Sequence, residues 1–335
     1  MDKKTRNILQ YAFWAAVAVV LVYFCFRSID WNQFMLALEH CKWEWVLVSI
    51  ALGILSLIIR GLRWRMLLLP MDPKTSVLTC FNAYSIGSAV NLFLPRVGEV
   101  VRLAYVVGNS SKDKEGKRLL SADKALGAIV IERVWDMLFV GLLIALVLVL
   151  KWEDFGAFFT DNFSGGGRVM SLLIPGLLLG LALLVLLFWL LRNKGEFWGR
   201  IWAFIKGIGE GLGSFRRMKR GWLFLLYTVL IWTLYWLMSA TIVQALKGMP
   251  VFGSLTLVDA LFISLVGSVS SMVPVPGGFG IYHGMVSGAM QVLWGIPKDS
   301  CMAYAVLNHE SQVLTQAVCG LVSYIQESFF RKNKK

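Results

Sequence analysis

Six apolar runs, at 9–26, 44–60, 125–150, 169–191, 221–246 and 301–326, set the first constraint on this chain. A bilayer-spanning helix needs roughly 20 mostly apolar residues, because hydrocarbon offers backbone N–H and C=O groups no partner outside the helix. Runs of this length confine the chain to an all-α polytopic integral membrane protein. Composition agrees: 57% of the 335 residues are hydrophobic and 16% are charged, against about 45–50% and about 25% in soluble domains. A soluble enzyme, a disordered chain and a disulfide scaffold are excluded. The five cysteines form no C-x-x-C pair and read as ordinary membrane-buried thiols. No A-x-A-like cleavage site follows the first run, which is therefore expected to stay as a helix.

Two further apolar stretches are broken. The first, 77–108, contains Asn91, Pro95, Arg96, Gly98, Glu99 and Arg102; the second, 255–296, contains Pro274, Pro276, Gly277, Gly278, Gly280 and His283. Proline and clustered glycine interrupt helices, so each stretch predicts two short helices joined by irregular backbone. Charge bias orients them. Of the 33 Lys and Arg residues, 26 fall in 1–8, 60–76, 96–124, 192–220 and the tail from Arg331. The positive-inside rule places these segments, and both termini, in the cytoplasm. Segments 60–76 and 96–124 then share a side, and 77–108 becomes a re-entrant hairpin entering from the cytoplasm. By the same rule 255–296 enters from outside. The expected architecture is one membrane domain, 1–335, with about six spanning helices and two opposed re-entrant hairpins, a plan compatible with an inverted repeat. Segment 192–220 repeats apolar residues at helical spacing among basic ones and predicts a helix lying on the cytoplasmic leaflet. The formal net charge of +13 is thus explained by orientation, and no nucleic-acid partner is expected.

Irregular backbone and charge at membrane depth mark function, and they select four clusters. In the first, Pro95 and Gly98 turn the chain, Arg96, Arg102 and Asn91 suit a phosphate at a helix start, and Glu99 stands three residues before Arg102. In the second, Glu132 and Asp136 share a helical face with Arg133 between them; Arg133 is a further candidate for the phosphate, and Glu132, Asp136 and Glu99 form the accompanying charge network, with a formal surplus of one acid on this helix. In the third, Pro276, Gly277, Gly278 and Gly280 let backbone approach a ligand or helix closely, with His283 beside them. In the fourth, Asn308, His309, Glu310 and Gln312 form polar stripes that should face a bundle interior or cavity. No metal or other cofactor is expected: His309-Glu310 lacks the x-x-H that completes a zinc helix motif.

The ordered motifs N-x3-P-R-x-G-E-x2-R from Asn91, E-R-x2-D from Glu132 and V-P-x-P-G-G-x-G ending at Gly280 resemble those of the lysylphosphatidylglycerol synthase transmembrane-region family, over roughly 10–328. Where similar proteins often carry an acid after the last glycines, this chain has Tyr282 and His283. The resemblance implies a membrane region that moves a lipid, here without the aminoacyl-transfer domain of the best-understood relatives. The leading expectation is a flippase or transporter for a phosphate-bearing lipid in a bacterial-type cytoplasmic membrane, with anionic lipids as partners. Homo-oligomerisation is compatible with it. The alternative is an embedded glycosyl- or other lipid-transferase acting on a lipid-phosphate acceptor.

Overall fold

The computed structural model describes residues 30–152 and 220–332, with seven positions between Ala16 and Arg27. Most of the 9–26 run, the run at 169–191 and the amphipathic segment 192–220 apart from Arg220 lie outside the described residues. Within them the chain is helical and has no strand beyond a single β-bridge between Lys112 and Arg118. The helices are α1 (Trp31–Glu39), α2 (Trp43–Leu68), α3 (Val77–Phe93), α4 (Val97–Gly108), α5 (Ala122–Leu150), α6 (Gly221–Ala245), α7 (Leu257–Ser270), α8 (Ile281–Trp294) and α9 (Lys298–Lys332). Among the described residues α2, α5 and α6 are long and apolar enough to cross a membrane. The protein is therefore an all-α membrane protein. It divides into two compact units, Met1–Ile129 with Trp222–Lys335, and Val130–Gly221.

Local chemistry starts and stops these helices where the sequence allows. Asp30 accepts from Asn32 N at 2.9 Å to cap α1, and Ser76 accepts from Thr79 N at 2.9 Å to cap α3. Thr256 and Asp259 cap α7 reciprocally, each side chain answering the other's backbone N–H, which satisfies two donors that a helix start leaves open. Gly295, at φ 60°, ends α8 in the left-handed conformation glycine adopts without strain. One boundary differs from the sequence expectation. The run expected to end near residue 60 continues as α2 to Leu68. Arg60, Arg63 and Arg65 are therefore helical residues and not part of a polar loop.

Both broken stretches fold as helical hairpins. In the first, α3 and α4 flank a break at Leu94–Arg96, and residues pair in antiparallel order: Asn91 with Gly98, Gly87 with Gly98, Tyr84 with Arg102. In the second, α7 and α8 flank the break, with Gly267 against Tyr282 and Phe262 against Trp294. The first hairpin is rooted in an end formed by loops 69–76 and 109–121. There the buried Asp72 accepts from Ser110 Oγ and Ser111 N, each at 2.8 Å, and from Lys74 N at 3.2 Å. The second is rooted elsewhere. Phe252, Leu255, Ile296 and Cys301 share one core cluster, Lys42 N donates to Ala245 O at 2.9 Å, and Asp30 N donates to Asp299 Oδ1 at 3.0 Å. Helix α2, 26 residues or about 39 Å long at 1.5 Å per residue, separates the two ends.

Close approach of backbone holds the first hairpin. A Cβ on Gly98 would lie 1.9 Å from Gly87 O and 2.6 Å from Asn91 Oδ1. Gly98→Ala should cost about 1–3 kcal/mol or more, the scale of overpacking in a filled site. Gly127→Ala, at a helical position with nothing within 4 Å of its new Cβ, should be neutral or stabilising by up to about 1 kcal/mol. Thermal unfolding of both variants in one detergent checks the contrast. Burial pushes the Asp72 carboxyl up, but the hydrogen bonds from Ser111, Ser110 and Lys74 outweigh it and hold its pKa below the ordinary 3.8. A depressed folded-state pKa stabilises the fold above the unfolded value, and this contribution is lost as pH falls through the folded one. The difference in melting temperature between wild type and Asp72→Asn should be constant above that ordinary value and should shrink below it.

Candidate functional site

Each break is built by residues that helices reject. Arg96 sits at φ 69° as the N-cap of α4, a left-handed conformation that costs an L-residue of order 1–2 kcal/mol. Its exposed guanidinium donates from Nη2 to Met272 O at 2.9 Å, which links the two breaks. Gly98 N donates to Asn91 Oδ1 at 2.8 Å, and Val97 N donates to Leu94 O at 3.2 Å. Two N–H groups at the α4 start are thus engaged by the protein, and Asn91, expected at a phosphate, completes the turn. Glu99 and Pro95 are half-buried and Gly98 is buried.

The second break is a one-turn 3₁₀ helix, Pro276–Gly278, followed by Gly280. Gly277, Gly278 and Gly280 stand at φ 58°, 76° and 78°, a sequence of left-handed positions open to glycine. A Cβ on Gly277 would lie 3.2 Å from Leu92 O, so the two breaks are in van der Waals reach. His309 Nε2 lies 2.9 Å from Gly277 O, and α9 thereby fastens the glycine turn.

The α9 stripe is buried and polar. Asn308 Nδ2 donates to Tyr282 OH at 2.7 Å and lies 3.4 Å from Tyr304 OH, which donates in turn to Ser239 O at 3.1 Å. Gly267 leaves room for the Tyr282 ring: a Cβ there would fall 2.6 Å from it. Further along, Ser311 Oγ and Gln312 Nε2 both donate to Asn308 O, at 3.0 and 3.1 Å, and Thr315 Oγ1 donates to Ser311 O at 2.8 Å. His283 and His309 are buried, with ring centroids 4.9 Å apart, and Glu310 is half-exposed beside them.

In the first hairpin Arg102, expected at a phosphate, is joined by Arg60, whose charge bore in the sequence only on orientation, as did that of Arg63. Arg102, 3% exposed, stacks on Trp64 and Tyr84, its Cζ 3.7 and 4.2 Å from the two ring centroids. Arg60 donates to the hydroxyls of Tyr235 and Tyr84. Arg63 is fully buried, with Nη1 donating to Thr228 Oγ1 at 3.2 Å and Cζ 5.4 Å from the Phe224 ring. Desolvated cation–π contacts are worth about 2 kcal/mol or more, which offsets part of the cost of burying charge. The available signal was two arginines three residues apart beside a tryptophan, at the end of an apolar run. On α5 Glu132 and Asp136 are buried and Arg133 is half-buried; these three belong to the second unit. The structure thus brings together the first, third and fourth clusters. It adds Arg60 and Arg63, of which Arg60 shares the Tyr84 ring with Arg102.

A helical membrane protein with unwound backbone and arginines buried inside it is the class these features define. A family model described as the lysylphosphatidylglycerol synthase TM region matches residues 11–320. The chain belongs to that family, and it is a lipid-related membrane protein. No curated protein and no solved structure matches it.

Truncating one member of a buried charged interaction typically costs about 3–5 kcal/mol. Arg63→Ala should destabilise the fold by that amount. Arg96→Ala, at an exposed position with a single hydrogen bond to Met272 O, should cost about 0.5–1.5 kcal/mol. Unfolding of the two variants in the same detergent measures the difference.

Proposed function

We propose that this protein is a flippase-type transporter that carries a phosphate-bearing lipid across the cytoplasmic membrane. The reading rests on one observation above all: two short helical hairpins, rooted in different ends of one unit, bring their unwound backbones together beside a group of arginines. Helices α3, α4, α7 and α8 have 17, 12, 14 and 14 residues, or about 18–26 Å, short of the roughly 30 Å hydrocarbon core. Such hairpins enter and return. Irregular backbone at membrane depth is stable only in protein or around water, and a polar path of this kind suits a head group whose tails stay in lipid. Arg96 meets the phosphate, Arg102 supplies positive potential behind the aromatic rings, and Glu99 accompanies them at the start of α4. The family's name points to a phospholipid, and the positive-inside rule puts both termini in the cytoplasm.

Reconstitution in liposomes with a fluorescent anionic phospholipid and an impermeant quencher tests this reading. Wild-type protein should move the lipid between leaflets without any activated donor. Arg96→Gln should slow it by about tenfold or more, the weight of one charge-assisted hydrogen bond. A covalently altered lipid formed only with an added donor would establish the transferase instead. Full movement with folded Arg96→Gln would remove Arg96 from the phosphate site. Single cysteines at positions 74 and 112 should resist an impermeant external thiol reagent and one at 298 should react; labelling at 112 would overturn the first re-entrant hairpin.

A further inference from the structure

We infer that His283, His309 and Glu310 form a binding site for one divalent transition-metal ion of the zinc class. Each offers a ligand atom, and the three atoms lie within 4.8 Å of one another. His309 Nδ1 is 3.0 Å and His283 Nε2 is 3.6 Å from Glu310 Oε1. Two ligands about 2.1 Å from a tetrahedral zinc ion are about 3.4 Å apart, a separation that these two distances bracket.

The hydrogen bonding fixes which atoms are donors to a metal. Gly277 O can only accept, so His309 Nε2, 2.9 Å away, carries the proton of the neutral ring. The lone pair is then on Nδ1, facing the carboxylate oxygen at 3.0 Å. Two acceptors this close need a proton or a metal ion between them. His283 Nε2 converges on the same oxygen, with the imidazole rings 4.9 Å apart. One cation answers all three ligands at once. The bond from His309 Nε2–H to a backbone carbonyl is also the outer contact that orients metal-binding histidines and fixes their tautomer.

Burial matches the role. The side chains of His283 and His309 are 3% and 8% exposed, whereas that of Glu310 is 42% exposed. The imidazoles thus form a closed floor, and the carboxylate marks the side from which an ion arrives. Two imidazoles and one carboxylate suit zinc, cobalt or nickel better than calcium or magnesium, which take oxygen ligands. Three protein ligands leave a fourth position for an oxygen of water or of an anion. The site ties α8 to α9 beside the glycine turn, and it stands independently of which cargo, if any, the protein moves.

The test uses the full-length protein purified without a polyhistidine tag, stripped with chelator and then dialysed against micromolar Zn2+ or Co2+. Elemental analysis should find one ion per chain. The cobalt form should show weak visible d–d bands without the intense near-ultraviolet band of a thiolate ligand. Glu310→Gln, nearly isosteric and half-exposed, and His309→Gln should each lower affinity by at least about tenfold, the loss that removal of even an outer-shell partner causes. His40→Ala, at the exposed third histidine, should bind as wild type. Wild-type protein that holds no stoichiometric ion overturns the inference. So does a thiolate band, which would put the ion on cysteine, or unchanged affinity in folded Glu310→Gln and His309→Gln. The cobalt spectrum of the wild type decides the matter even if a variant fails to fold. Because the readout is metal binding, it is independent of the lipid-movement assay.

Discussion

Backbone that leaves a helix inside a membrane protein must find its hydrogen bonds in the protein, and the structure depends on how that demand is met at the two breaks. In hydrocarbon an unmet N–H or C=O costs several kcal/mol. Gly98 N is met by Asn91, Met272 O by Arg96, and Gly277 O by His309. The first of these contacts lies within the first hairpin, the second runs between the hairpins, and the third comes from α9. The first break is thus closed within its own hairpin, whereas the second is completed by side chains from the first hairpin and from α9.

A second demand is to keep arginine in an apolar surrounding. Guanidinium is planar, delocalised and weakly hydrated, so it stacks on rings more readily than an ammonium does. Arg102 between Trp64 and Tyr84, and Arg60 between Tyr84 and Tyr235, use that property, with Tyr84 shared by both. The shared ring couples α2, α3, α4 and α6. Lysine at these positions would keep the charge and lose the planar stacking, so arginine is required for packing as well as for potential.

Punctuation made much of this legible in the sequence. Pro95 located the first break and the run from Pro274 to Gly280 the second; Gly98, read as part of the turn, lies inside α4 at its close approach to α3, and Arg96 makes the left-handed turn itself. The end of α2 was not legible by hydropathy: Arg60 and Arg63 read as loop residues because a sliding sum of apolarity registers their charge and not the rings that cover it. The role of Asn91 at the turn could not be separated from ligand binding by spacing alone. The meeting of His283 with His309 and Glu310 was hidden for a different reason. A metal motif on one helix has a fixed spacing, whereas ligands from two helices converge only once α8 and α9 are packed.

Helix α9 carries both hairpins, one on each half. Around Asn308 and His309 it holds the second, through Tyr282 and the Gly277 carbonyl. Around Gly320 and Glu327 it holds the first: a Cβ on Gly320 would fall 2.3 Å from that of Ala89, and Glu327 accepts from Tyr105 OH at 2.6 Å. Between the two anchorages Ser311 and Thr315 return their hydroxyls to carbonyls of the preceding turn, an arrangement that softens and bends helices. The two hairpins that α9 carries are also joined directly, by the hydrogen bond from Arg96 to Met272 O. One helix thus sets the spacing of the two unwound segments, because each hairpin is located against α9 and, through it, against the other.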